Sequence, residues 1–145
     1  MKKETRGPEL SWLSDPEVFA VNRQRAHSDH RFFVPTDGGE EELRFSLTAT
    51  WKFSYAACPK DRPENFYGAG YEVEDWDEIQ VPGHIQLQGY EHPHYVNTMY
   101  PWDGKAAIRP PEIDWEDNSV GSYVRFFDLP ESLRGRRVCI SFQGV

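Results

Sequence analysis

Hydrophobic and polar residues alternate along several short stretches of this chain, with the period of two that half-buried β-strands show. The clearest case is at residues 137–142, where Val138, Ile140 and Phe142 fall on one side and Cys139 and Ser141 on the other. Further strands are predicted at residues 47–55, 78–81, 95–100 and 121–129. We therefore predict an all-β fold.

The first part of the chain follows neither the strand period nor the helix period. It is polar, it carries Gly38 and Gly39, and it contains an acidic run at residues 40–42. We predict an irregular N-terminal arm over residues 1–44, lying on another protein surface, and a β-sandwich domain over residues 45–145.

The predicted strands are too few for a closed sandwich. A jelly roll has about eight strands, and the apolar side of the strand at 137–142 needs further sheet partners. The sequence therefore predicts an incomplete, jelly-roll or galactose-binding-like β-sandwich that is cut before its completion.

Composition excludes several classes of function. The net charge is -8 and the 16 Lys and Arg residues are scattered, whereas proteins that bind nucleic acid carry basic patches. No apolar run is long enough for a membrane span, and no signal-peptide core follows the first residues. We expect a cytoplasmic protein with no nucleic-acid or membrane partner. In that compartment, two reduced thiols at Cys58 and Cys139 are favoured over a disulfide.

Residues 81–102 form the segment of most interest for function. They read VPGHIQLQGYEHPHYVNTMYPW and combine aromatic residues with three histidines and three prolines. This composition is too rich in Pro and Gly for a helix and predicts a rigid loop lined by rings. Such a loop can stack on the C–H face of a sugar and hydrogen-bond its hydroxyls. The segment therefore indicates carbohydrate binding.

The same segment resembles the signature of the large β-galactosidases of glycoside hydrolase family 2. The matches keep the family's order and spacing and lie at residues 15–17, 22–23, 26–27, 46–47, 51–53, 81–82, 86–90, 93–101, 121–123, 135–138 and 142–145. One departure is at His84 and Ile85, where the family has Asn and Trp.

The resemblance implies an N-terminal sugar-binding jelly roll that precedes immunoglobulin-like domains and a TIM barrel with two catalytic glutamates. A TIM barrel needs roughly 250 residues, so this chain of 145 residues cannot include it. The implied function is retaining hydrolysis of terminal β-D-galactosides, such as lactose, by the full-length enzyme. The implied partners are the galactoside and the remaining domains or subunits of that enzyme. The chain itself is expected to hold no catalytic residue and to be inactive.

Asn97 is the one substrate-binding residue that we predict. It occupies the family position at which the first domain reaches the active site, and an amide offers both a donor and an acceptor to a sugar hydroxyl. By composition alone, a turn-forming or backbone-satisfying asparagine is the alternative. A stand-alone, non-catalytic carbohydrate-binding module is the alternative for the whole chain.

Metal and acid–base chemistry are not predicted for the chain itself. The pairs His92 with His94 and His27 with His30 lack the further ligands of a closed zinc site. The resemblance implies magnesium and a monovalent cation for the full-length enzyme, held mainly by its other domains. Two groups of acidic residues beside Trp76 and Trp115 are typical of solvated loops rather than of a glycosidase pair. These acidic residues are Asp75, Asp77, Glu78, Asp114, Glu116 and Asp117.

Overall fold

Among the residues that the structure describes, regular structure consists of short strands and short 3-10 helices. A computed structural model describes residues 9–28, 30–92 and 107–143. The strands are β1 (Phe33–Thr36), β2 (Gly39–Glu42), β3 (Ala49–Ala56), β4 (Asp77–Val81) and β5 (Val120–Val124). The 3-10 turns are Leu10–Ser14, Pro59–Asp61, Ile85–Gln88 and Glu131–Leu133. The all-β prediction is confirmed, and the antiparallel sheets agree with a β-sandwich. Within the described ranges, no helix has the length and hydropathy of a membrane span.

The larger sheet has the strand order β4-β3-β5, and both of its pairings are antiparallel. The central strand β3 is rich in the aromatic and β-branched residues that favour strands. Its residue Phe53 lies opposite Asp77 on β4 and Tyr123 on β5. These three strands lie close to the predicted positions 47–55, 78–81 and 121–129.

Phe53 is the centre of the small core. Its side chain is 0 % exposed, and its ring lies 4.6 Å from that of Tyr90 and 4.8 Å from that of Tyr123, measured between centroids. Gly121 makes room for this ring, because a Cβ atom there would lie 2.8 Å from Cε2 of Phe53. Within the described part of the chain, the other buried apolar residues are Ala56, Cys58, Pro59, Val73, Ile79 and Leu133.

The long connection between β3 and β4 is tied to β3 by Lys52. Its ammonium group donates to the carbonyl oxygens of Glu74, at 3.1 Å, and Trp76, at 3.4 Å. It also lies 3.3 Å from the Glu78 carboxylate. Because one side chain bonds several points of the connection, the aromatic residues carried there are held close to the sheet.

The predicted irregular arm contains a β-hairpin, which is a correction to the prediction for residues 1–44. β1 and β2 pair from Phe33 opposite Glu42 to Thr36 opposite Gly39, so only Asp37 and Gly38 form the turn. An Asp-Gly pair between extended segments is a strong hairpin signal. The periodicity analysis missed it because β2 consists of glycine and acidic residues and has no apolar face.

The C-terminal strand prediction at residues 137–142 is wrong for this structure. No residue there is in a strand, and Val138, Ile140 and Phe142 are 48 %, 60 % and 61 % exposed. Among the described residues, this segment makes no backbone–backbone hydrogen bond. A strand forms only when a second strand supplies those bonds, and the described part of the chain supplies none here.

β5 is shorter than predicted, and one predicted strand cannot be compared. β5 ends at Val124 rather than at residue 129. The next residue, Arg125, donates through Nη1 to the carbonyl oxygen of Thr50 on β3 at 2.8 Å. This carbonyl group of the central strand is therefore bonded by a side chain. The strand predicted at 95–100 lies outside the described residues.

Candidate functional site

The loop that leads into the predicted sugar-binding segment starts at the end of β4 and folds back on that strand. The side chain of Gln88 makes two hydrogen bonds with the backbone of Gln80. The Gln80 N–H donates to Oε1 of Gln88 at 2.8 Å, and Nε2 of Gln88 donates to the Gln80 carbonyl oxygen at 3.0 Å. The amide thus bonds β4 as the peptide group of a neighbouring strand would.

Gly83 allows this loop to pass close to β4. A Cβ atom at this position would lie 2.6 Å from Nε2 of Gln88 and 2.8 Å from the Gln80 carbonyl oxygen. The turn Ile85–Gln88 then ends at Gly89, whose φ of 97° is the left-handed conformation that glycine adopts without strain. Two glycines therefore allow the path of the loop.

Tyr90 joins the end of the loop to the core. Its ring lies edge-on to Phe53 and 5.9 Å from the ring of Tyr55, and its hydroxyl donates to the Asp77 carboxylate at 2.9 Å. Desolvation raises the pKa of Tyr90, and the hydrogen bond to Asp77 adds to the rise, because a phenolate would face a carboxylate. Tyr90 is therefore a neutral hydrogen-bond donor at ordinary pH.

A groove of about 300 Å³ opens beside Tyr90. One of its residues, Glu91, has a φ of 60°, and its Oε1 accepts a hydrogen bond from the Ser119 hydroxyl at 2.9 Å. Another, Glu116, pairs with Lys60, and this hydrogen bond raises the pKa of Lys60. The groove is lined by Tyr55, Ala57, Glu91, His92, Glu116, Asp117 and Ser119. It brings together acceptor groups and a ring, but Glu91 and Glu116 already bond to neighbouring side chains.

Asn97, the predicted substrate-binding residue, lies outside the described residues, as do His94 and the rest of residues 93–106. Residues 77–92, which precede this segment in the chain, are described.

Most of the acidic residues beside Trp76 and Trp115 bond to other groups of the fold. Asp77 accepts from Tyr90, and Glu78 pairs with Lys52. Oδ1 of Asp114 accepts from the backbone N–H groups of Glu116 and Asp117, at 2.9 Å and 3.0 Å, in a local turn. Four of the six acidic residues, Asp77, Glu78, Asp114 and Glu116, therefore take part in bonds within the fold.

Histidines and cysteines were the other candidates for chemistry. The rings of His27 and His30 stack 6.3 Å apart, and Nδ1 of His27 lies 2.8 Å from the Arg25 carbonyl oxygen. In the described ranges, no group of three or more His, Cys, Asp or Glu side chains could hold a metal ion. Cys58 is buried, Cys139 is exposed, and both thiols are free, which confirms that they do not form a disulfide.

Comparison with known proteins identifies the family. Residues 44–145 match the model of the sugar binding domain of the glycosyl hydrolases family 2. The chain belongs to this family. The loop described above, from Gly83 to Tyr90, lies within the matched family 2 domain.

Several relatives of the family 2 domain are β-galactosidases. The chain is 54 % identical over 140 residues to the β-galactosidase of Halalkalibacterium halodurans, which covers 94 % of the chain and 14 % of that protein. It is 45 % identical to the β-galactosidase large subunit of Leuconostoc lactis, over 94 % of the chain and 24 % of that subunit. It is also 45 % identical to the β-galactosidase of Streptococcus thermophilus, over 93 % of the chain and 14 % of that protein. The chain thus spans between 14 % and 24 % of the length of these relatives.

Two contacts in this family 2 domain were missed by sequence reasoning. The first is the hydrogen bond between Tyr90 and Asp77, which lie 13 positions apart. The second is the pair of hydrogen bonds between Gln88 and Gln80, which lie 8 positions apart. Gly83 and Gly89, which bracket the turn, were a signal that the chain doubles back there. That signal does not say which side chains meet.

Proposed function

We propose that this chain is the N-terminal, sugar-binding part of a β-galactosidase. The complete enzyme hydrolyses terminal non-reducing β-D-galactose residues of β-D-galactosides, with lactose as a natural substrate. The chain shapes one side of the active-site entrance through Asn97, and the catalytic glutamates lie on a barrel elsewhere in the enzyme.

One observation carries this proposal: relatives named β-galactosidase resemble nearly the whole chain and not only a single motif. In three of them, 93 % to 94 % of the chain is matched at 45 % to 54 % identity. In the same relatives, the matched part is at most 24 % of the protein. Most of each relative therefore has no counterpart in this chain, and we propose that the catalytic residues lie in that part.

Exposed apolar side chains support an assembly with further protein. The ring of Phe127 packs on Phe45 at 5.7 Å between centroids, yet both rings remain exposed. Phe126 is exposed as well, and so are the three apolar residues of segment 137–142, which are Val138, Ile140 and Phe142. Apolar patches of this kind mark surfaces that contact another protein segment. We propose that the remaining domains or subunits of the same enzyme cover them, which disfavours a stand-alone carbohydrate-binding module.

We also propose that the Asn97 amide hydrogen-bonds the galactosyl unit of the substrate. The chain itself holds no cofactor in this proposal. Magnesium and a monovalent cation belong to the other domains of the complete enzyme. The arm is assigned to residues 1–44 and the sugar-binding domain to residues 45–145. We propose a cytoplasmic compartment, in which cysteines stay reduced.

A hydrolysis assay tests whether the catalytic residues lie outside this chain. The purified chain of 145 residues, incubated with o-nitrophenyl β-D-galactoside, is expected to release no more nitrophenol than a blank. A chimera, in which the chain replaces the matched segment of the Halalkalibacterium halodurans β-galactosidase, is expected to be active. Turnover by the chain alone would contradict the proposal, as would a folded but inactive chimera.

The role of Asn97 is tested in the same chimera. Asn97→Ala removes one hydrogen bond to the substrate, and we expect kcat/KM to fall by roughly tenfold, the equivalent of about 1.4 kcal/mol. Asn22→Gly is the matched control, because Asn22 is exposed and its φ of 55° suits glycine. Equal kinetic constants for Asn97→Ala and the control would remove Asn97 from the site.

A further inference from the structure

The connection between β3 and β4 presents an exposed aromatic ring that is fixed in place. Tyr67 is 62 % exposed, yet its hydroxyl donates to Oδ1 of Asn65 at 3.0 Å. Its ring lies edge-on to Phe66, with 6.3 Å between centroids, and Phe66 packs on Trp76 at 5.7 Å. A ring that is exposed and already oriented loses little conformational entropy when a ligand binds it.

Polar groups of different kinds surround a shallow cavity of about 150 Å³ beside this ring. Arg62 donates through Nη1 to the Pro59 carbonyl oxygen at 2.9 Å, which orients the guanidinium group. The Glu64 carboxylate lies 3.8 Å from Nη2 of Arg62, and the Glu64 side chain is 70 % exposed. The cavity is lined by Arg62, Pro63, Glu64, Asn65, Phe66 and Tyr67.

The backbone of Asn65 sets the shape of this cavity. Its φ is 57°, and the N–H of Gly68 donates to its carbonyl oxygen at 3.0 Å, so the chain turns tightly at this point. Since Oδ1 of Asn65 accepts from Tyr67, the NH₂ group of the amide is the part of Asn65 that can donate to a ligand. The turn thus places an amide donor next to the hydroxyl end of the Tyr67 ring.

We propose that residues 62–67 form a binding surface for a neutral pyranose sugar. The C–H face of the sugar stacks on Tyr67, and its hydroxyls bond with Arg62, Glu64 and Asn65. A cation and a carboxylate stand side by side in this cavity, so neither an anion nor a cation is favoured. A hydroxyl both donates and accepts, and therefore suits both groups. The inference is independent of the proposed function, because Asn97 takes no part in it.

NMR titration of the ¹⁵N-labelled chain of 145 residues with methyl β-D-galactopyranoside tests this inference. We expect saturable shifts of the backbone amides of residues 64–68 at high-millimolar sugar. Tyr67→Ala removes the stacking face and is expected to weaken binding about tenfold, the upper end of what an aromatic contact contributes. Phe19→Ala, which removes an arm side chain that is 80 % exposed, is the control and is expected to leave the affinity unchanged.

Asn65→Gly separates binding from folding. Glycine adopts the backbone conformation of Asn65 without strain, so the turn is kept while the amide is lost. We expect weaker sugar binding with unchanged stability to urea. The inference is overturned if the sugar shifts no amide of residues 64–68, or if Tyr67→Ala binds as tightly as the parent chain. It is also overturned if glycerol produces the same shifts at the same concentration.

Discussion

The amide of Gln88 bonds both backbone groups of Gln80, at 2.8 Å and 3.0 Å, and so occupies the outer edge of β4 at that residue. Exposed strand edges are templates for unwanted pairing, and a side-chain amide that satisfies the edge prevents it. The same two bonds hold the turn Ile85–Gln88 against the sheet. Gln88 therefore links the edge of the sheet to the loop that leads into the predicted sugar-binding segment.

Gln88→Ala is expected to lower the free energy of unfolding by about 1–2 kcal/mol, because two hydrogen bonds are lost at a partly exposed edge. The measurement is urea unfolding of the two proteins under identical conditions. Gln80→Ala is the matched control, since it keeps the backbone groups that Gln88 binds. If both variants lose the same stability, the bonds between Gln88 and Gln80 are not what stabilises the loop.

Gly83→Ala is expected to cost about 1–3 kcal/mol, because the added methyl group meets the backbone carbonyl of Gln80 as well as Gln88. Gly38→Ala is the control, since a Cβ atom at Gly38 has no heavy atom within 4 Å. Thermal unfolding measures both variants. A Gly83→Ala protein that melts at the same temperature as Gly38→Ala would show that the loop can move away at no cost.

Phe53→Ala is expected to destabilise the fold by about 3–5 kcal/mol, because it empties the centre of the core between Tyr90 and Tyr123. This loss approaches the whole stability of a small domain. Circular dichroism and urea unfolding follow the effect. Phe19→Ala removes an exposed ring and is expected to change stability by less than about 0.5 kcal/mol. Similar losses for the two variants would contradict the position of the core.

The β-hairpin has a pH-dependent ion pair. Arg31 donates to both carboxylate oxygens of Glu42 at 2.7 Å, and this hydrogen bonding lowers the pKa of Glu42 from its ordinary value of 4.5. Because the folded pKa is depressed, the pair stabilises the hairpin above about pH 4.5, and its contribution is lost as the pH falls through the lower folded value.

NMR titration of the Glu42 side-chain carbons tests this ion pair. Arg31→Ala is expected to raise the pKa of Glu42 towards its ordinary value. Arg44→Ala is expected to raise it less, because Arg44 acts on Glu42 only through charge and more weakly than Arg31. An equal effect of the two substitutions would show that charge, and not the hydrogen bonds, sets the pKa of Glu42.

β3 and β4 could be predicted because their apolar residues recur at every second position, at Trp51, Phe53 and Tyr55 and at Ile79 and Val81. The observed ends of β3, β4 and β5 lie within two residues of the predicted ends, except for the C-terminal end of β5. The strand at 137–142 shows the same alternation and does not form. Alternation shows only that a strand could bury one of its faces. The hydrogen bonds and the burial themselves come from a partner strand.

The sequence by itself determined the all-β class, the family of the domain and the position of the ring-rich segment, since these depend on local periodicity and on the order of residues. The tertiary structure alone decided that Gln88 bonds Gln80, that Tyr90 bonds Asp77 and that Tyr67 is oriented by Asn65 and Phe66. Such contacts depend on where a loop returns after a turn. Backbone angles at residues such as Gly83 and Asn65 determine where the loop returns. The pattern of apolar residues along the chain contains no information about these angles.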